Sequence, residues 1–166
     1  MGPDGNDYVV DGIRDRLNLT ERTEKVFELV RRHKPACVGY EQYGLQADIE
    51  HIKQEMERQQ FRFRVMELGG STKKEDRIRR LIPSFQMGRT WMPQSMVRVM
   101  SDGHQRDIMD DFRAEYTAFP VAAHDDAMDC LARKEEPEMR RYLTQPEIPK
   151  ALPTIGYGVL DASTGY

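Results

Sequence analysis

The run Ala36-Cys37-Val38-Gly39-Tyr40-Glu41 constrains the fold more than any other stretch of the chain. It is short and almost continuously apolar, which is the signature of a buried central strand rather than a half-solvated one. Segments of helical period flank it on both sides. Before it, Val26, Phe27, Leu29 and Val30 share one helical face. Thr20 is the expected N-cap, Glu21 and Glu24 lie in the first turn, and Arg31, Arg32 and Lys34 lie in the last. That charge order suits the helix dipole, and Pro35 stops the helix. After it, residues 45–59 place Ile49, Ile52 and Met56 on one face of a second helix. Tyr8–Asp11 and Phe61–Leu68 read as further strands, the latter near a sheet edge. The order strand, helix, strand, helix, strand predicts an α/β fold with parallel pairing among the later strands.

Gly69–Thr72 is a loop, and residues 73–82 begin a short basic helix. Five of the 25 Lys and Arg residues fall at positions 73, 74, 77, 79 and 80. This is either a solvated face, with Glu75 and Asp76 pairing locally, or a phosphate-facing surface that Arg89 and Trp91 extend. A turn at Gly88 then leads to a short strand ended by Pro93. Trp91 on it is suited to stack on a base, although a lone Trp is more often a core anchor. His104–Tyr116 is predicted as a helix with Ile108, Met109, Phe112 and Tyr116 inward, ended by Phe119-Pro120. From Lys134 the composition changes: Pro137, Pro146, Pro149 and Pro153 are followed by Gly156, Gly158 and Gly165. Residues 1–136 are thus expected to form one domain and 137–166 an extended or disordered tail.

At 166 residues the chain has room for one domain with a real core. Its net charge of −3 means that nucleic-acid binding has to rest on local clusters of cations. Cys37 and Cys130 have no CxxC context, and each sits in an apolar segment. Buried free thiols in a reducing compartment are expected, not a zinc site. No stretch has the length and apolarity of a membrane span.

Chemistry concentrates at His124-Asp125-Asp126, which opens a helical pattern carrying Asp129 one turn later. Carboxylates at a helix start sit where the backbone N–H groups favour negative charge. One Asp there is ordinarily just an N-cap, and the second exceeds what a cap needs. Glu41 ends the central strand, and in open α/β sheets sites gather at the carboxyl ends of strands. Carboxylates without Cys or a His pair select Mg²⁺ or Mn²⁺, and two such ions activate water and steady a leaving oxygen in phosphodiester cleavage.

These pieces, in this order, resemble the C-terminal nuclease domain of the large terminase subunit of tailed phages, an RNase H-like fold. The matching residues are Tyr8–Leu17, Val38–Glu41, Lys74-Glu75-Asp76-Arg77-Ile78 with Leu81, Pro83 and Phe85, Gly88-Arg89, Pro93, Phe119-Pro120, His124-Asp125-Asp126 and Asp129. The likeness covers roughly residues 8–133. It implies a mixed sheet flanked by helices and a two-metal endonuclease, using Mg²⁺ or Mn²⁺, that cuts concatemeric double-stranded DNA during packaging. Glu41, Asp125 and Asp126 would be catalytic metal ligands. Lys73, Lys74, Arg77, Arg80 and Arg89 would lie along the DNA, or Arg77 would instead tie its helix to the fold. Asp129 would be a group behind the metal ligands or, as the favoured reading, a plain surface residue. The implied partners are DNA, the terminase ATPase domain, the small terminase subunit and the portal, in the cytoplasm of an infected bacterium.

The chain also departs from that family. The family's first catalytic Asp lies on a first strand, ahead of the hairpin turn that matches Met1–Asp7. The resemblance therefore implies a sheet incomplete at its N-terminus, without its central strand, and no GxxxxGK[ST] phosphate loop is present. The alternatives are a catalytically inactive terminase piece that binds DNA or a partner, and another RNase H-like nuclease of the resolvase type. The Lys-x-x-Arg-Ile and Phe-Pro…His-Asp-Asp combination argues against the latter.

Overall fold

Strand and helix alternate along the chain. The elements are β1 (Asp7–Tyr8), α1 (Leu19–His33), β2 (Val38–Glu41), α2 (Gln46–Arg58), β3 (Val65–Leu68), α3 (Lys74–Arg79), α4 (Ile82–Gln86), β4 (Thr90–Trp91), β5 (Val97–Val99), β6 (Gln105–Asp107), α5 (Ile108–Ala118), α6 (Asp126–Ala132), a 3-10 turn (Arg133–Glu135) and α7 (Pro137–Leu143). The structure is a computed structural model that describes residues 1–42, 46–121 and 124–143. The fold is mixed α/β. Among the described residues the strands pair two by two: β1 with β4 and β2 with β3, both parallel, and β5 with β6 antiparallel. The parallel pairing expected for the later strands is present. β2, expected as a buried central strand, is half-buried along its length and pairs only with β3 among the described residues, and β1 lies in a separate two-stranded sheet. No helix among the described residues is long and apolar enough to cross a membrane.

Two apolar clusters hold these elements. Phe27 on α1, Ile52 and Met56 on α2 form one, with Tyr40, Phe61, Phe63 and Val65 against it. Phe61 and Phe63 keep the inward alternation expected of a strand, and Phe63 meets Phe27 edge-on at 5.1 Å. The ladder, however, starts only at Val65, opposite Val38. The second cluster joins Ile78, Leu81, Met96, Ile108, Met109, Phe112, Met128 and Ala132. Three of the four inward positions expected on α5 are in it. Tyr116 is exposed instead.

Local chemistry explains the other departures. The N-cap of α1 is Asn18, not Thr20: Glu21 N–H donates to Asn18 Oδ1 at 3.0 Å and Asn18 N–H donates to Glu21 Oε2 at 2.8 Å. This reciprocal capping box needs a carboxylate three residues on, which Asn18 has and Thr20 lacks. The basic helix ends early because Pro83 cannot supply the N–H that would continue it, and α4 restarts with that proline in its first turn. Residues 104–107 are not helical. Gly103, at φ +83°, turns β5 back into β6, and Asp107 caps α5 by accepting from Met109 N–H at 2.9 Å. The segment after Glu136 opens as the helix α7 rather than as extended chain. The expected tail from residue 144 onward lies outside the described residues. Both cysteines are free thiols, but Cys37 is half-buried and Cys130 exposed, contrary to the expected burial.

Candidate functional site

Two elements carry the carboxylates. β2 ends on Glu41, and α6 begins at Asp126 with Asp125 in the N-cap position. The N-cap reading of this pair fails in detail, because neither carboxylate caps the helix. Glu115 of α5 does so from a distance: its Oε2 accepts from Ala127 N–H at 2.9 Å and Met128 N–H at 3.1 Å. Glu115 is buried, and Arg14 Nη1 lies 2.7 Å from its other oxygen. A carboxylate at a helix start satisfies the orphan N–H groups and suits the dipole. Supplied by Glu115, the cap leaves Asp125 and Asp126 free for other partners.

Those partners come from α3. Lys74 Nζ lies 2.5 Å from Asp125 Oδ1 and 2.7 Å from Asp126 Oδ1. One turn along both helices, Arg77 grips Asp129 with two parallel bonds of 2.6 and 2.8 Å and donates to Thr72 O at 3.1 Å. The spacing is simple: positions three apart on α3 meet positions three or four apart on α6. Arg77 is only 6% exposed, so it ties α3 to α6 and presents nothing to a phosphate. Asp129 is accordingly an internal ion-pair partner, not the plain surface residue expected. One more turn on, Arg133 reaches back to Glu41 and also donates to Glu136 at 3.3 Å. The ladder of charges along α6 thus ends on the carboxylate of β2.

Protonation follows the pairing. The hydrogen bond from Lys74 holds the Asp126 carboxyl below its usual value against some burial. Burial pulls Lys74 down, but its bonds to Asp125 and Asp126 prevail and hold the ammonium above its usual value. His124 is exposed. An open cleft of about 1280 Å³ passes beside this ladder, lined among others by Arg14, Gly39, Asp126, Cys130 and Arg133.

Among the described residues no group of three or more His, Cys, Asp or Glu is arranged to hold a metal ion. The oxygen donors have the chemistry for a hard cation. As arranged, however, they form two arms, Asp125 with Asp126 and Glu41, and each arm already holds a side-chain cation. Of the cations singled out from the sequence, Lys74 and Arg77 are engaged in the ladder. Arg80 donates to Thr72 Oγ1 at 3.3 Å. Lys73 and Arg89 are exposed, with no carboxylate partner among the described residues. Glu115 and Arg133 escaped the sequence reading. Their partners lie 12 and 92 positions away, so no local spacing announces them. Compared with family models, with curated proteins and with solved structures, the chain matches none.

Proposed function

We propose that this chain is a nuclease-type domain akin to that of the phage large terminase, with an RNase H-like ancestry and double-stranded DNA as substrate. The observation that carries the reading is the α6 segment. It begins with an Asp125-Asp126 pair that Glu115 relieves of capping and that Lys74 holds, and it runs into the 3-10 turn whose Arg133 bonds Glu41, so one short segment links the two acidic arms. Glu41, Asp125 and Asp126 would hold Mg²⁺ or Mn²⁺, which when bound supplies activated water and charge stabilisation at the scissile phosphate. The chain's own residues pair the carboxylates with cations, Lys74 on Asp125 and Asp126 and Arg133 on Glu41, and Asp126 lines the cleft. Lys74 and Arg133 occupy the arms until a divalent ion competes for them. Lys73 and Arg89 meet the phosphate backbone. An ATPase domain, a small terminase subunit and a portal are the implied partners, and an infected bacterial cytoplasm the implied setting.

The test is nicking of supercoiled plasmid with Mn²⁺ or Mg²⁺. Activity that is lost in Glu41→Ala, Asp125→Ala or Asp126→Ala variants supports the reading. A folded wild-type chain that cleaves under no divalent metal overturns autonomous catalysis. A second reading has its own observation. Each acidic arm is neutralised internally and no three-acid group is present among the described residues. On that reading the ladder is a strut, and the chain is a non-catalytic piece that binds DNA or a partner.

A further inference from the structure

The outward face of the β1–β4 pair is dressed unlike an ordinary solvated sheet face. Side chains alternate across a strand, so one face carries Val9 and Met92 and the other Tyr8, Val10, Arg89 and Trp91. Val9 and Met92 pack on the core cluster, and Asp7 on that same side pairs with Lys134. The opposite face should be polar where it meets water. Instead Trp91 is 55% exposed, Tyr8 47% and Val10 70%. Tyr8 and Trp91 are register partners, and their rings lie stacked with centroids 6.3 Å apart and planes 18° apart. Trp91 is therefore not the core anchor that a lone Trp usually is.

The aromatic pair is held in place before any ligand arrives. Tyr8 donates its hydroxyl to Asp4 Oδ2 at 2.6 Å, and Asn6 donates to the same oxygen at 2.8 Å. The turn that carries Asp4 closes through Gly5 N–H on Gly2 O at 3.0 Å. Gly2 lies so close that an added Cβ would sit 2.8 Å from the Tyr8 ring. Two positions before Trp91, on the same face, stands Arg89, an exposed guanidinium with no carboxylate partner among the described residues. A braced, solvent-facing aromatic pair, with an exposed cation that strand alternation assigns to the same face two positions before Trp91, is the chemistry that takes an unpaired base on the rings and its phosphate on the guanidinium.

We infer that Tyr8, Trp91 and Arg89 form a stacking site for single-stranded nucleic acid, such as a frayed or freshly cut DNA end. This rests on the nucleic-acid reading of the chain and adds the strand state recognised. Trp91 is the only tryptophan, so its fluorescence reports the site alone. The experiment titrates the full chain with oligothymidylate in EDTA, where no metal-dependent cleavage occurs, and follows Trp91 emission. Labelled-oligonucleotide anisotropy is measured in parallel.

The expected result is saturable quenching at low salt. Affinity by anisotropy falls on the order of tenfold in Trp91→Ala and in Tyr8→Ala, and less in Trp91→Phe, which keeps a ring. Arg89→Gln lowers the salt slope by about 0.7, the loss of one phosphate contact on a single strand. Unchanged Trp91 emission overturns the site, as does anisotropy equal to wild type in both alanine variants. So does a concentration-dependent self-association that buries Trp91 without oligonucleotide. Quenching in EDTA from a chain that never cleaves keeps this site and removes the nuclease. Metal-dependent cleavage without quenching does the reverse.

Discussion

Replacing Glu115 with alanine removes the cap of α6 and should destabilise the protein by about 2–4 kcal/mol. Two backbone donors lose their acceptor, at Ala127 and Met128, and Met128 is buried, so water does not readily replace it. Loss of a side-chain cap typically costs about 0.5–2 kcal/mol, and bonds to a charged acceptor about 1.5–3 kcal/mol each. Arg14 retains partial solvent access and can rehydrate, so its lost partner adds little. Glu115→Gln keeps an amide oxygen for the two donors and gives up only the charge, so it should cost about 1–2 kcal/mol. Urea unfolding followed by far-UV circular dichroism reads the difference. With m about 2 kcal/mol/M, the alanine midpoint falls by about 1–2 M at unchanged slope. An alanine variant within about 0.5 kcal/mol of wild type refutes the cap. Glutamine as damaging as alanine assigns the energy to the Arg14 pair instead.

Two further predictions concern pH. Burial pushes the Asp11 carboxyl up, but bonds from His33, Arg98, Gly12 N–H and Arg32 outweigh it and hold it well below the usual range. Its contribution is therefore full above the unfolded value near 3.9 and is lost as pH falls below it, so Asp11→Asn should flatten acid unfolding curves between about pH 4 and 2. Burial, and then the bond it donates to Asp48 at 2.8 Å, push Tyr40 up to about 12. That contribution is intact below about pH 10 and lost as pH rises towards 12, so Tyr40→Phe should remove part of the alkaline destabilisation seen by chemical denaturation.

Much of the fold was legible because it rests on local period. Phe27 and Val30, Ile49 with Ile52 and Met56, and Ile108 with Met109 and Phe112 are buried as their spacing requires. The capping box of α1 and the Asp102-Gly103 hairpin were also written locally, as Asn-x-x-Glu and as a turn dipeptide just after the Val97-Arg98-Val99 alternation. They were missed because stronger helical patterns beside them claimed the same residues. The site is different. Glu41, Asp125, Asp126 and Lys74 stand out by residue type, but what each one touches is set 51, 52 or 92 positions away. Trp91 shows the same limit, since exposure depends on which side of β4 faces the core.

The charge ladder on α6 is uneven, and the unevenness separates what holds the fold from what is available to function. Arg77 and Asp129 are nearly buried, with side-chain exposures of 8% and 13%, and bond bidentately. Removing one partner there leaves an uncompensated charge and costs about 3–5 kcal/mol. Lys74 is 39% exposed and Asp126 71%, so water screens that end and Lys74→Ala should change stability by no more than about 1 kcal/mol. The cation that is cheap to displace is thus the one seated on the Asp125-Asp126 pair. Thermal unfolding of Lys74→Ala and Arg77→Ala, with and without Mn²⁺, checks this. Arg77→Ala should be the more damaging, and Mn²⁺ should stabilise Lys74→Ala more than wild type because the pair is already vacated. The reverse order of stabilities, or a Mn²⁺ shift unaffected by Lys74, would make the whole ladder a strut and leave the divalent-ion reading without its entry point.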